Sequence, residues 1–432
     1  MTYSPEPTII LGGGFAGLFA ALHLSHKNYP HPIILVDQQE RFTFNPLLYE
    51  FLSGEMGEDQ ICPRYEELLA GSGVKFMQDT VAGIDLRQRQ VELASTTYTY
   101  SNLVLALGCT SCYLNVEGAQ EYSLPFRTGT QAVTLAKKLR DCLENATKIT
   151  DAEERRMLLT VAIVGAGPSG VELAATLADL LPIWYRELGG NGEEIRVVLL
   201  DRGTEILAGG PRGGVKSALL AAANEALATR HVPVELLLET TVNAVSQNSI
   251  KFTRHDQTQE LAAATVIWTA GIATNPLLED LPISSAHRDQ RGRLQVTSTL
   301  QLVDFPEVFA GGDCAANTID SHPPTAQVAY QQGRAIAHNL ASIAQGKEPA
   351  PLHVKVSGTL LKLGLGESAA QIFNRFEIKG KLGHAIRQAT YLELLPTPVH
   401  NLKATAEWLV DDIFHHHYNP AHLPGVVISK EA

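Results

Sequence analysis

Gly12, Gly14 and Gly17 stand in the run "TIILGGGFAG", and Gly165, Gly167 and Gly170 repeat their spacing in "VAIVGAGPSG". Each G-x-G-x-x-G follows a short apolar run that reads as a buried strand, and each opens an apolar helix pattern. The chemistry that fits is the binding of a dinucleotide pyrophosphate. The first glycine permits the tight turn, the second lets phosphates approach the backbone, and the third lets helix pack closely on strand. The helix N-terminus adds free N–H groups and about half a positive charge. An acid completes each unit: Asp37 in "PIILVDQQ", 20 residues past Gly17, and Asp201 in "RVVLLDRG", 31 residues past Gly170. A carboxylate there can accept the hydroxyls of an adenosine ribose. The longer second spacing is taken up by "WYRELGGNGEEI", read as an extended helix and a loop. Asp201 favours an unmodified ribose and Arg202 a 2′-phosphate, so NADH and NADPH both stay open.

Two such turns in one chain suit one dinucleotide that stays and one that visits, a flavin and a nicotinamide between whose rings hydride passes. The elements that must position them need more than one core, since 432 residues predict two or three domains. A hydrophobic content of 45% is that of a globular protein, and a net charge of -12 argues against a basic nucleic-acid-binding face. Five cysteines are too few and too odd for a secreted disulfide framework. No run of 18 apolar residues predicts a spanning helix, and no cleaved leader is expected.

Three further segments carry a resemblance. "VFAGGDCAA" (308–316) resembles the flavin-binding segment of two-dinucleotide flavoproteins, which gives Asp313 a place near the ribityl chain and pyrophosphate. "LVLALG", ending at Gly108, resembles the exit from the flavin domain, and "VIWTAGIATNP", with Gly271, the exit from the nicotinamide domain. The resemblance implies an α/β, two-dinucleotide-binding flavoprotein fold of two Rossmann-like domains, the nicotinamide domain inserted in the FAD domain, with a C-terminal extension. FAD then falls to the first turn and NAD(P)H to the second. The expected domains are 1–130 with 290–345 for FAD, 155–285 for NAD(P)H, and 346–432 as a quinone- and membrane-proximal region. "FNPLLYEFLSGE", "GPSGVELAATLAD", "WTAGIATNP", "GDCAA" and "PPTAQVAYQQG" together resemble the type II NAD(P)H:quinone oxidoreductases. "GHAIRQATYLELLPTPVHNLKATAEWL" is similar to the cyanobacterial and plastid branch of that family. It implies a demethylnaphthoquinone such as demethylphylloquinone, or plastoquinone, as acceptor, in a ping-pong reaction without proton pumping.

Within the resemblance Glu172 lies near the nicotinamide and flavin rings, where it holds the carboxamide or takes part in proton delivery. By position alone it is an acid in a first helical turn. Gln327 and Gln331 share a helix face, and the resemblance sets them at the quinone channel. Thr325 and Ala326 open that helix, whose N-terminus, with Ala326 and Gln327, can face the flavin edge that gains negative charge on reduction. Tyr330 and the segment 44–49 can supply apolar walls.

Cys109 and Cys112 form a C-x-x-C, but their place after the exit strand argues against a redox disulfide, and no second pair makes a metal site. His415, His416 and His417 point different ways on a helix and read as surface residues. No metal is expected. Leu402, Ala406, Leu409 and Ile413 fall at helical spacing, with Lys379, Lys381, Arg387 and Lys403 around them. This is either an interfacial anchor or a helix packed on the protein or in a homodimer. The expected location is peripheral, on the cytoplasmic side of the thylakoid or plasma membrane. A sulfide:quinone oxidoreductase-like enzyme and a non-catalytic nucleotide-binding flavoprotein are the competing readings.

Overall fold

The computed structural model describes residues 5–208, 217–317, 322–356, 358–372 and 376–396. The predicted 402–413 helix, Lys403 and His415–His417 lie outside the described residues. Contacts divide the chain into two units.

The first unit comprises 1–43, 62–110 and 272–356. Its centre is a parallel sheet in the order Lys75–Gln78, Ile33–Asp37, Thr8–Leu11, Asn102–Leu105, Val308–Ala310. Thr8–Leu11 and Val308–Ala310 are buried at every residue, as strands covered on both faces must be. The helix Phe15–Ser25 packs against the helix Ala326–Ala344, and Gly333 is what lets them close: a Cβ there would lie 2.3 Å from the Ala16 carbonyl oxygen. An antiparallel meander, Val81–Asp85, Gln90–Leu93 and Thr97–Thr99, precedes the Asn102–Leu105 strand.

The second unit comprises 44–61, 111–271 and 357 onward. Its sheet repeats the plan: Glu235–Leu237, Arg196–Leu200, Thr160–Val164, Thr265–Trp268, Leu124–Pro125, all parallel. A second antiparallel meander, Thr240–Ser246, Ser249–Arg254 and Gln257–Ala262, again precedes the strand that leaves the sheet. Its inner face seals a core with Ala162, Val198, Val266 and Trp268. The 20-residue helix Pro168–Glu187 is the extended helix expected before "GGNGEEI", with Pro182 inside it. A three-stranded sheet, Gly358–Lys362, Ser368–Ile372 and Phe376–Ile378, and the helix Gly380–Glu393 complete the unit.

The division falls after 110 and 271, where the sequence suggested 130 and 290. Leu124–Pro125 pairs with Thr265–Trp268, so this stretch joins the second sheet. Residues 44–61 also belong to the second unit, because the helix Leu48–Ser53 packs on Pro168–Glu187 and Gly129–Ala146. No helix among the described residues is long and apolar enough to cross a membrane.

Candidate functional site

Both glycine turns are built alike. Gly12 has φ of 96° and Gly165 of 107°, conformations that a side chain would strain. A Cβ on Gly17 would sit 1.9 Å from the Gly12 carbonyl oxygen, and one on Gly170 1.8 Å from that of Gly165. The third glycine is therefore required by the fold. The middle glycines differ in kind. A Cβ on Gly14 or on Gly167 would meet no protein atom within 4 Å. Nothing in the fold demands glycine there, and the open space is where a pyrophosphate would approach the helix N-terminus. Gly108 likewise faces open space, while a Cβ on Gly271 would stand 3.0 Å from the Cys112 carbonyl oxygen.

The two acids repeat as well. Asp37 Oδ2 accepts the Gly13 N–H at 2.6 Å and Oδ1 the Gln39 N–H at 2.8 Å. Asp201 Oδ2 accepts the Ala166 N–H at 2.7 Å and Oδ1 the Gly203 N–H at 2.7 Å. Each acid clamps its glycine turn to the end of the neighbouring strand, a role that the ribose reading did not include. Burial pushes the Asp37 carboxyl up, and the N–H bonds work against that. Arg202 is exposed. The residues present fit two dinucleotides: paired N-terminal cradles with space at the middle glycine, each braced by a carboxylate.

In the first unit, Asp313 Oδ2 accepts from the Cys109 thiol at 3.2 Å. None of the five cysteines is in a disulfide. Cys314 is buried, which pushes its thiol up to about 11 and keeps it protonated. Gln332, which sequence reasoning passed over, receives the Gly312 N–H on Oε1 at 2.7 Å and so ties the Gly-Gly-Asp segment to the helix Ala326–Ala344. Thr325 caps that helix through Val328 N–H. The two expected glutamines part company. Gln327 is half-buried, and its side chain makes no hydrogen bond among the described residues. Gln331 donates from Nε2 to the Gln327 and Lys355 carbonyls at 3.1 and 3.0 Å and accepts the Lys355 N–H at 2.9 Å. That amide latches the 355 segment to the helix, so both its ends are engaged by backbone.

Glu172 belongs to a buried ionic cluster inside the second unit. Its Oε1 accepts the backbone N–H of Lys362 at 2.9 Å, and Tyr49 donates to it. The Lys362 ammonium, fully buried, reaches Glu55 at 2.6 Å and Glu50 at 3.1 Å. Arg387 is also fully buried; it pairs with Glu50, donates to the Pro46 carbonyl at 2.6 Å and lies 4.9 Å from the Tyr391 ring centre. Arg387 had been read as one of the basic residues around an anchor helix. The structure corrects this, because the guanidinium neutralises Glu50 in the interior. Burial alone would raise Glu50, but Arg387 and Lys362 outweigh it and hold the carboxyl at about 2. Glu172 differs from Glu50: burial pushes it up to about 7, against the pull of Arg387, the Lys362 N–H and Tyr49. Burial likewise raises Tyr391 to about 12. No local signal revealed this cluster; Glu50 and Arg387 are 337 residues apart.

Comparison with known proteins gives the same outline. The family model "pyridine nucleotide-disulphide oxidoreductase" matches residues 6–333. The chain is 35% identical over 421 residues to demethylphylloquinone reductase NdbB of Synechocystis sp., covering 95% of this chain and 97% of the relative. It is 31% identical to the type II NADH:quinone oxidoreductase Ndh of Mycobacterium tuberculosis, covering 79% and 73%. Among solved structures it superposes on NDH2 from Plasmodium falciparum in complex with NADH, with a TM-score of 0.83 at 18% identity, over 95% and 98% of the two chains.

Proposed function

The chain belongs to the pyridine nucleotide-disulphide oxidoreductase family and, within it, to the type II NADH:quinone oxidoreductases, and from that premise we propose how its parts share the work. The enzyme oxidises NAD(P)H and reduces a quinone through FAD. When bound, FAD supplies the two-electron relay between nicotinamide and quinone. The observation that carries the assignment of sites is the duplicated cradle: open space at Gly14 and at Gly167, with Asp37 and Asp201 bracing the two turns. The first turn, Gly108 and the segment at Asp313 hold FAD. Gln332 keeps that segment in register, and Ala326 and Gln327 present a helix N-terminus with an unengaged amide. The second turn, Asp201, Arg202 and Gly271 hold NAD(P)H.

Glu172 manages the proton. Quinone reduction takes up two protons, and a carboxyl held near 7 exchanges them efficiently at neutral pH. Arg387 and Lys362 keep Glu50 ionised, so that the exchangeable proton stays on Glu172. The acceptor is a demethylnaphthoquinone, with plastoquinone next. The similarity to a demethylphylloquinone reductase over nearly the whole chain supports that choice. Nicotinamide leaves before quinone reacts, and the enzyme works at the cytoplasmic side of the thylakoid or plasma membrane as a peripheral protein.

Anaerobic stopped-flow absorbance near the flavin band tests this reading. The holoenzyme is mixed with NADH or NADPH, then with a demethylnaphthoquinone or a plastoquinone analogue. Rapid bleaching followed by rapid recovery with the naphthoquinone is the expected result. No bleaching with either nucleotide would refute hydride delivery from the second turn, and bleaching by sulfide alone would transfer the reading to a sulfide:quinone oxidoreductase.

A further inference from the structure

A cavity of about 540 Å³ opens in the first unit, and its polar lining includes Lys27, Arg334 and four histidines. His23, His26 and Lys27 enter it from the C-terminal end of the helix Phe15–Ser25, Arg334 and His338 from the helix Ala326–Ala344, and His353 from the segment that follows. Arg334 and His338 are one helical turn apart and share a face. The far wall is held by two amides. Asn339 exchanges hydrogen bonds with the Ala350 backbone at 3.0 and 2.9 Å, and Gln331 does the same with Lys355 at 3.0 and 2.9 Å. Between these latches the chain carries His353 across from His338.

Lys27, Arg334 and four histidines converge here on a chain of net charge -12. Among the described residues no carboxylate lines the cavity, and none pairs with Lys27 or Arg334. Their mutual repulsion is visible at His23. Burial lowers its pKa first, and Arg334, His26 and Lys27 lower it further; its ring packs near those of Tyr330 and Phe19. A concave site with unneutralised cations is what an anion would complete. The volume excludes neither phosphate nor a phosphate ester. The cavity is separate from the first glycine turn, since the 11-residue helix Phe15–Ser25, about 16 Å long, has the turn at one end and the cavity at the other.

We propose that this cavity is a binding site for a phosphate-bearing anion, either free or as a phospholipid headgroup. Lys27 and Arg334 supply the permanent charge. His23, His26, His338 and His353 add ring N–H groups that can donate hydrogen bonds to the anion's oxygens.

The test uses the full-length holoenzyme and its Lys27→Glu/Arg334→Glu variant. Both positions lie outside the nucleotide sites, so turnover of NAD(P)H with a water-soluble quinone should be unchanged. Calorimetric titration with inorganic pyrophosphate at pH 7 should show binding to the wild type. The charge reversals should weaken it at least about tenfold. Co-sedimentation with phosphatidylglycerol vesicles, against phosphatidylcholine vesicles, then distinguishes the two sources. A loss in the variant parallel to the loss of pyrophosphate identifies a headgroup, and vesicle behaviour identical in both proteins identifies a free anion. Absence of pyrophosphate binding, or binding undiminished in the variant, would overturn the proposal, the latter by placing the anion at a nucleotide turn.

Discussion

Glu172→Gln should make this protein more stable in mild alkali and leave it nearly unchanged in acid. The carboxyl is buried and titrates at about 7 in the fold, against an ordinary value of 4.5. Below 4.5 the folded and unfolded chains both hold the proton. Between 4.5 and 7 the folded chain retains a proton that the unfolded chain releases, so stability falls as pH rises through that window. Above 7 the full difference, about 3 kcal/mol, has been lost to the buried charge. Glutamine cannot ionise, yet its carbonyl still accepts the Lys362 N–H. The variant should therefore match wild type at pH 5 to within about 1 kcal/mol and exceed it at pH 8.5 by about 3 kcal/mol. Thermal unfolding of the holoprotein, followed by far-ultraviolet circular dichroism at one scan rate, should show an apparent midpoint roughly 5 °C higher at pH 8.5. The same variant should lose about 100-fold in quinone reduction while flavin bleaching by NAD(P)H persists. A variant destabilised equally at both pH values would refute the argument, since it would mean that Glu172 is ionised throughout.

The remaining predictions use the same logic. Gly14→Val should fold, because a Cβ there has no neighbouring element within 4 Å, but should purify without yellow colour; a variant that retains flavin would show that the first turn is not its site. Gly17→Val should fail to give soluble protein, as its Cβ would overlap the Gly12 carbonyl, and normal expression would contradict the packing described. Lys362→Met removes the cation between Glu50 and Glu55 and should cost about 3–5 kcal/mol, seen as a lowered unfolding midpoint; an unchanged midpoint would show that the cluster is dispensable. Gln332→Ala should loosen the Gly312 segment and raise the dissociation constant for FAD about tenfold in equilibrium dialysis, and an unaltered constant would remove its positioning role.

The local parts of this protein were legible in the sequence alone. Strand, glycine turn, helix and terminal acid interact over a few dozen residues, so their spacing announces them twice, and the parallel strands declare themselves by uninterrupted apolar runs. Resemblance to known flavoproteins, rather than spacing, singled out Gly108, Asp313 and Glu172. Only the tertiary structure decided what those residues do to one another. Asp37 and Asp201 spend their oxygens on the turns they face, and Gln331 spends its amide on Lys355 while its neighbour Gln332 reaches the Gly312 backbone. A one-residue step on a helix turns a side chain by about 100°, which periodicity cannot assign to a partner from another part of the chain. The ionic cluster shows the limit most plainly. Arg387 reads as surface charge in a basic stretch, and Glu50 as an acid in an apolar one. Burying a charge is tolerable only beside its opposite. That pairing spans 337 residues and exists only once the chain has folded.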